Sequence, residues 1–256
     1  MKKGLRSTIF LCLLILLWAL VAVSYYADNY YFKKIVDDRC GSEINDQEKV
    51  VCIFNIVISS VAPEARGVHQ PWWYLTPKKI MERGYGLCSE SSKLFIVLCE
   101  VAGFNARKVS IYNNSFDFSK TVWESPGSHT VVEVLIDKQW AVFDTFNNSF
   151  YRMSRNKLAG IDDIVNNPGI ANDKFPYQVP PRSEYYTHIR YINWNHYSWL
   201  IRIYSLLRTL LGSKVDQLET PYFLLRPKLL YFYGLTGVIL LFLLFTIVNA
   251  RKKVLH

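Results

Sequence analysis

Three residues in the middle of the sequence have side chains that support nucleophilic catalysis, namely Cys88, His129 and Asp144. Cys88 opens a segment that is predicted to be helical. A helix N-terminus offers unpaired N–H groups and the positive end of the helix dipole, and both favour a thiolate over a thiol. The thiolate is the nucleophilic form of cysteine, but it requires a histidine that shuttles protons and an acceptor that orients this histidine.

His129 and Asp144 lie on two β-rich runs that are predicted to form a hairpin. A two-residue turn at residues 137–138 pairs Ile136 with Gln139. Paired residues share a sheet face, and so do residues two apart along a strand. This register makes His129 and Asp144 diagonal neighbours whose backbones are about 7–8 Å apart. The spacing therefore predicts contact between imidazole and carboxylate, but it does not itself bring the nucleophile to them.

Hydrophobic periodicity predicts the elements that position these groups. A helix is expected over residues 87–101, and a strand over residues 106–112 follows it. Another helix is expected within residues 28–62, capped by Asp46, because apolar residues recur there at steps of three and four. Residues 146–182 are rich in Asn, Asp and Pro, and they are predicted to be mostly surface loop.

Several blocks of this sequence resemble the transglutaminase-like superfamily. Gly-Leu-Cys at residues 86–88, followed by Gly-Phe-Asn-Ala-Arg at residues 103–107, is similar to the family's core helix and the strand after it. The blocks that begin at His129 and at Trp140 resemble the strands that carry the histidine and the aspartate. The resemblance covers about residues 70–150 and implies an α+β, papain-like domain with N-terminal helices and an antiparallel sheet. The sequence departs from the usual family pattern at Ser92, Val131 and Thr145.

The resemblance implies a catalytic triad that transfers an acyl group from an amide through a thioester. Cys88 would be the nucleophile, His129 the general base and acid, and Asp144 the group that orients the histidine. Water as the acceptor gives a protease or amidase, whereas an amine gives a cross-link. The oxyanion would be held by the backbone N–H of Cys88 and one donor from upstream. Four residues there have side chains that can donate, and the choice among them stays open: Gln70, Trp72, Trp73 and Tyr74.

Two uncharged apolar segments indicate a membrane protein. They run from Thr8 to Ala27 and from Leu229 to Asn249, and each is about 30 Å long as a helix, which is the thickness of a bilayer core. Tyrosines at the outer ends of both segments suit an interfacial aromatic belt. The alternative for the first segment is a cleaved signal peptide.

The distribution of charge argues against nucleic-acid binding and predicts a topology. The formal net charge is +9, but residues 27–227 hold 23 of the 30 Lys and Arg and all 21 Asp and Glu, which leaves only +2 there. The remaining basic residues flank the apolar segments, which predicts that both chain ends are cytoplasmic. The expected organisation is a cytoplasmic end and transmembrane helix over residues 1–27, an extracytoplasmic domain over 28–195, an amphipathic juxtamembrane segment over 196–227, and a transmembrane helix with a basic tail over 228–256.

The five cysteines have different predicted roles. Cys12 lies within the first apolar segment and Cys99 within a helix core. Cys40 and Cys52 are disulfide candidates, because an oxidising compartment permits a bridge; two free thiols are the alternative. The spacings do not match a zinc site, so neither a metal nor another cofactor is expected.

These observations predict a two-pass protein of the cell membrane with a periplasmic or otherwise extracytoplasmic enzyme domain. The expected activity is cysteine-dependent amide hydrolysis or acyl transfer on a protein or peptide of the cell envelope. The expected partners are the lipid bilayer, this substrate and other envelope proteins. The rival interpretation is a catalytically inactive binding or scaffold module with the same fold. Residues 197–211 form an amphipathic helix that either lies in the bilayer interface or packs on the domain.

Overall fold

The computed structural model describes residues 2–41, 45–64, 75–111, 129–154, 157–167, 189–192, 198–220 and 225–254. The helices in these ranges are α1 (Lys2–Cys40), α2 (Asp46–Ser60), α3 (Pro77–Arg83), α4 (Cys88–Val101), α5 (Ile161–Asn166), α6 (Ser198–Leu211) and α7 (Pro227–Val254). The strands are β1 (Ala62–Pro63), β2 (Tyr85–Gly86), β3 (Ala106–Ile111), β4 (His129–Ile136), β5 (Gln139–Asp144), β6 (Ser149–Phe150), β7 (Arg152–Ser154), β8 (Lys157–Leu158) and β9 (Ile189–Arg190). A 3-10 turn, Gly212–Gln217, follows α6.

The main sheet in the described part of the chain has five antiparallel strands in the order β6-β5-β4-β3-β9. Its central hairpin has the predicted register, because Ile136 pairs with Gln139. Asp137 and Lys138 form the turn with φ values of 50° and 65°. Positive φ at both central residues is the geometry of the tight hairpin turn that matches strand twist. The predicted α+β architecture and the hairpin register are thus confirmed.

Helix α4 packs on the sheet, and its predicted position is also confirmed. Leu94, Phe95 and Leu98 on this helix are fully buried. A cluster of aromatic rings joins α2, α4 and the sheet, with Phe95 and Phe143 at a centroid distance of 5.2 Å and Phe54 at 5.8 Å from Phe95. This core fixes where the first turn of α4 meets the sheet.

The predicted cap of α2 is wrong by one residue. Asn45 is the N-cap, and its side-chain oxygen accepts a hydrogen bond from the backbone N–H of Glu48 at 2.9 Å. Asp46 is the first helical residue. The backbone of Asn45 is extended, which lets its side chain reach back over the first turn, and either residue type is a good cap.

Helix α1 continues from the first apolar segment into the domain without a break. Phe32 and Val36 are buried in the main core. Cys40, at the end of α1, is disulfide-bonded to Cys52 of α2, with a Cα–Cα distance of 5.7 Å. The apolar helix is therefore fixed to the domain through packing and a covalent cross-link.

Two helical segments, Thr8–Cys40 and Pro227–Val248, are long and apolar enough to cross a membrane. They pack side by side, since Trp18 donates a hydrogen bond from Nε1 to Thr236 Oγ1 at 2.9 Å and the Phe10 and Phe242 rings are 5.5 Å apart. This pair of helices is compatible with a membrane protein.

The prediction of mostly loop over residues 146–182 is wrong for its described part. Residues 149–166 contain β6, β7, β8 and α5. Ile161 and Ile164 of α5 are buried against the second face of the sheet. Strands of two or three residues and a six-residue helix are too short to produce a visible hydrophobic period.

Candidate active site

Cys88 is the first residue of α4, and the chain just before it is closely packed. Gly86 precedes it on β2, where an added Cβ would lie 3.3 Å from Val61 Cγ1 and 3.1 Å from Glu90 Oε2. Glu90 accepts a hydrogen bond from the N–H of Leu87 at 3.0 Å, and Arg83 forms an ion pair with the same carboxylate. The glycine thus allows a tightly held helix start.

The hairpin brings His129 and Asp144 into direct contact. Nε2 of His129 lies 2.7 Å from Oδ2 of Asp144, whose side chain is almost completely buried. The other carboxylate oxygen accepts backbone hydrogen bonds from Phe146 at 3.1 Å and Asn147 at 3.0 Å. The carboxylate is therefore held in one orientation as an acceptor for the imidazole.

The Cys88 thiol joins this pair. It lies close enough to the side chain of His129, and to the backbone and side chain of Thr130, for each of them to lower its pKa. Because Asp144 engages Nε2 of the histidine, Nδ1 is the ring nitrogen that remains for Cys88. The structure therefore brings together all three residues that the sequence singled out.

Electrostatics at the site favour an ion pair between Cys88 and His129. Burial acts to raise the pKa of Cys88, but its contacts with His129 and Thr130 outweigh this effect, and the pKa is lowered from its ordinary value. Burial acts to lower the pKa of His129, whereas Asp144 and the Cys88 thiolate together raise it to about 10. At neutral pH the site is therefore suited to a thiolate beside an imidazolium.

Hydroxyl groups connect the start of α4 to the catalytic strands. Ser91 Oγ lies 2.9 Å from Thr145 Oγ1, and Ser92 Oγ donates to the carbonyl of Thr130 at 3.4 Å. Ser92 and Thr145 are two of the positions where the sequence departs from the usual family pattern. Their contacts supply a link that the sequence pattern did not reveal.

Asn147 is another residue that the sequence analysis missed. Its Nδ2 donates to Oδ2 of Asp144 at 2.8 Å and lies 3.4 Å from Nε2 of His129. The amide of Asn147 therefore lies against both partners of the His129–Asp144 contact. Its closeness in sequence to Asp144 is the only signal that could have identified it.

Two lysines on the elements around the site, Lys93 of α4 and Lys108 of β3, were also missed. Lys93 is buried and donates from Nζ to the carbonyl of Leu75 at 2.8 Å; burial and the positive charge of Lys108 lower its pKa to about 8. Burial lowers the pKa of Lys108, and the negative charge of Cys88 opposes this shift. Lys108 therefore adds positive charge that interacts with the Cys88 thiolate.

The four oxyanion candidates, Gln70, Trp72, Trp73 and Tyr74, lie outside the described residues. The other expected donor, the N–H of Cys88, lies in the first turn of α4, where helix geometry supplies no carbonyl partner. Within the described ranges, no group of three or more His, Cys, Asp and Glu side chains is suited to a metal ion.

Comparison with solved structures gives remote similarity. A candidate cysteine protease from Cytophaga hutchinsonii has 18% identity and a TM-score of 0.38, over 56% of this chain and 46% of that one. A candidate protease from Parabacteroides distasonis has 17% identity and a TM-score of 0.35, over 44% of this chain and 23% of that one. A TGase has 15% identity and a TM-score of 0.38, over 75% of this chain and 50% of that one. The chain thus spans half or less of the length of these proteins.

The comparison with curated proteins found no match. The family comparison is more informative, because the profile of the Transglutaminase-like superfamily matches residues 33–145. This range begins within α1 and ends one residue after Asp144, so it includes Cys88, His129 and the hairpin between them. The part of the chain that carries Cys88, His129 and Asp144 thus matches the model of the transglutaminase-like superfamily.

Proposed function

We propose that this chain is a membrane-anchored cysteine enzyme that cleaves an amide bond through a thioester on Cys88. The observation that carries the proposal is the imidazole of His129, which contacts the thiol on one side and the buried carboxylate of Asp144 on the other. Nucleophile, proton shuttle and orienting acceptor then have the arrangement that acyl transfer requires.

The reaction begins when the Cys88 thiolate attacks the carbonyl carbon of an amide. Negative charge develops on the carbonyl oxygen and is stabilised by the backbone N–H of Cys88 together with an upstream donor. The carbon–nitrogen bond breaks as the imidazolium of His129 gives its proton to the departing amine. A thioester on Cys88 and a neutral imidazole remain.

The second half of the reaction releases the acyl group. His129 removes a proton from the incoming acceptor, which attacks the thioester, and the sulfur leaves as a thiolate. Water as the acceptor gives a carboxylic acid and hence protease or amidase activity, whereas an amine gives a new amide and hence a cross-link. A protein or peptide of the cell envelope is the proposed substrate.

Covalent trapping tests the proposal directly. The full chain in detergent or nanodiscs is treated with a peptide-like acyl probe that carries a thiol-reactive electrophile, and the labelled residue is identified by mass spectrometry. Labelling is expected at Cys88, abolished in Cys88→Ser and retained in Cys99→Ser. Labelling that is weak, or that does not depend on His129, would instead favour the binding or scaffold module.

We also propose that both chain ends are cytoplasmic and that the transglutaminase-like domain is extracytoplasmic. The basic residues beside the two apolar segments support this topology, and the disulfide between Cys40 and Cys52 suits an oxidising compartment. Reporter fusions after residue 172 should be extracytoplasmic, and fusions after residue 256 cytoplasmic. A cytoplasmic signal at residue 172 would contradict this topology.

A further inference from the structure

One end of the domain faces the two apolar helices. Lys228, at the start of α7, forms an ion pair with Asp28 of α1 at 2.7 Å. Its neighbour Arg226 contacts Asn29 of α1 and forms an ion pair with Glu100 at 3.2 Å. Because Glu100 lies in the last turn of α4, the C-terminal end of this helix lies towards the apolar helices. Cys88 is at the opposite end, about 18 Å further along the helix axis.

Helix α6 is attached at the same end of the domain. Arg107 lies near the beginning of β3, which starts just after α4 ends. It forms an ion pair with Glu219 at 2.8 Å, and its guanidinium stacks on the ring of Tyr191 at 4.3 Å. Thr220 donates a hydrogen bond to the carbonyl of Tyr191. The chain segments before and after α6 are therefore both fixed beside the membrane-facing end.

Only one edge of α6 is covered by protein in the described part of the chain. Tyr204 is buried with Val215 of the 3-10 turn, and its hydroxyl donates to Asp216 at 3.0 Å and accepts from Arg208 at 2.9 Å. These contacts fix the rotation of the helix about its own axis. They cover only part of its apolar side, where Leu207 packs against Tyr204 and Val215.

The rest of the apolar face is exposed as a continuous stripe. Leu206 is 62% exposed and Leu210 is 69% exposed, and Ile203 and Leu211 on the same face are 39% and 43% exposed. These four residues follow the pattern i, i+3, i+7 and i+8, which forms one stripe along a helix. A stripe of this size on an ordinary soluble domain is unusual and marks an interaction surface. Arg202, next to the stripe, is also exposed.

We propose that α6 lies flat in the headgroup region of the leaflet from which α1 and α7 emerge, with its leucines in the acyl-chain boundary. The bilayer is the occupant that the surroundings favour, because α6 is attached at the end of the domain that faces both candidate spans. Exposed apolar residues on one face and an arginine beside them are the features of an interfacial helix. This contact requires that α1 and α7 span the membrane, but it does not require catalysis by Cys88.

Fluorescence quenching tests the proposal on the full chain in nanodiscs. Cys12→Ser and Cys88→Ser remove two thiols, and the buried Cys99 stays in place. A bimane label is attached at Leu206→Cys or Leu210→Cys. The matched control carries it at Ser205→Cys, an exposed position on the opposite side of the helix from Leu210. All three positions lie on the surface, so the substitutions are not expected to disturb folding.

Labels at positions 206 and 210 should be quenched by lipids that carry a doxyl group near the headgroup and protected from iodide in the water. The label at position 205 should show the reverse, with a several-fold difference between the two faces. Equal quenching of both faces would overturn the proposal by removing the preferred side. Protection of positions 206 and 210 from both quenchers would also overturn it, because a protein partner or a second copy would then cover the stripe.

Discussion

Helix α4 carries two cysteines in opposite environments. Cys88 begins the helix, is partly exposed and contacts His129, and its pKa is lowered. Cys99 lies three turns further along, is fully buried, and has a pKa raised well above its ordinary value, first by burial and then by the charge of Glu100. The comparison shows that the surroundings of each thiol, rather than the residue type, decide which one is suited to chemistry.

The largest expected effect comes from removing the group that distinguishes the two thiols. His129→Ala deletes both the imidazolium partner of Cys88 and the proton donor for the leaving amine. Turnover of an acyl substrate should fall by about 10²–10⁴-fold, the usual contribution of general acid–base catalysis. The measurement is steady-state hydrolysis by the purified full chain. Cys99→Ala is the matched control and should leave turnover near that of the wild type.

A smaller loss is expected when the histidine stays and its orienting acceptor changes. Asp144→Asn keeps the size of the side chain but allows an N–H group to face Nε2 of His129. We expect turnover to fall by about 10²-fold, the lower end of the range for general acid–base catalysis, in a protein that still folds. Asn147→Ala, which removes a donor to the same carboxylate, should have a weaker effect. An Asp144→Asn enzyme with full activity would show that the carboxylate has only a structural role.

The contact between the hydroxyls of Ser91 and Thr145 holds the start of α4, and therefore Cys88, against the end of β5. Thr145→Val removes the partner of Ser91 and should lower the free energy of unfolding by about 1 kcal/mol, the usual net value of such a hydrogen bond. Denaturant unfolding measures the change. Ser149→Ala is the matched control, because the buried Ser149 hydroxyl has no partner among the described residues. Equal losses in both variants would contradict a specific role for the contact.

The smallest expected effect concerns Lys108, whose positive charge interacts with Cys88. Lys108→Gln should slow alkylation of Cys88 by the anion iodoacetate by a few-fold, because the favourable field for a negative reagent is weakened. Neutral iodoacetamide, which has nearly the same size, is the control and should be affected less. An unchanged ratio of the two rates would show that Lys108 does not act on reagents at the thiol.

The contact between His129 and Asp144 could be predicted from the sequence, because strand alternation and a two-residue turn fix the register of a hairpin. The approach of Cys88 could not be predicted in this way. It depends on the packing of α4 against the sheet and on the hydroxyl contacts of Ser91 and Ser92, and neither leaves a periodic signal. Resemblance to a family, rather than spacing, was therefore what joined the nucleophile to the pair.

Other local features also escaped prediction for physical reasons. Asn45 and Asp46 are both good helix caps, so only the backbone geometry chooses between them. The short elements β6, β7, β8 and α5 obtain their stability from tertiary contacts, and sequence propensity hardly specifies them. The apolar stripe of α6 could be predicted from the sequence pattern. That the domain leaves this stripe exposed could be learned only from the structure.

The most direct test of the central claim is the pH profile of alkylation of Cys88 by iodoacetamide in the full chain. A lowered pKa means that the thiolate persists as the pH falls, so the rate should stay high below neutral pH while Cys99 remains unlabelled. In His129→Ala, burial is left to raise the pKa of Cys88, so the rate should drop near neutral pH and recover only in alkaline solution. A wild-type profile that follows an ordinary free thiol, with a midpoint of about 8.5 and no response to His129→Ala, would contradict the triad.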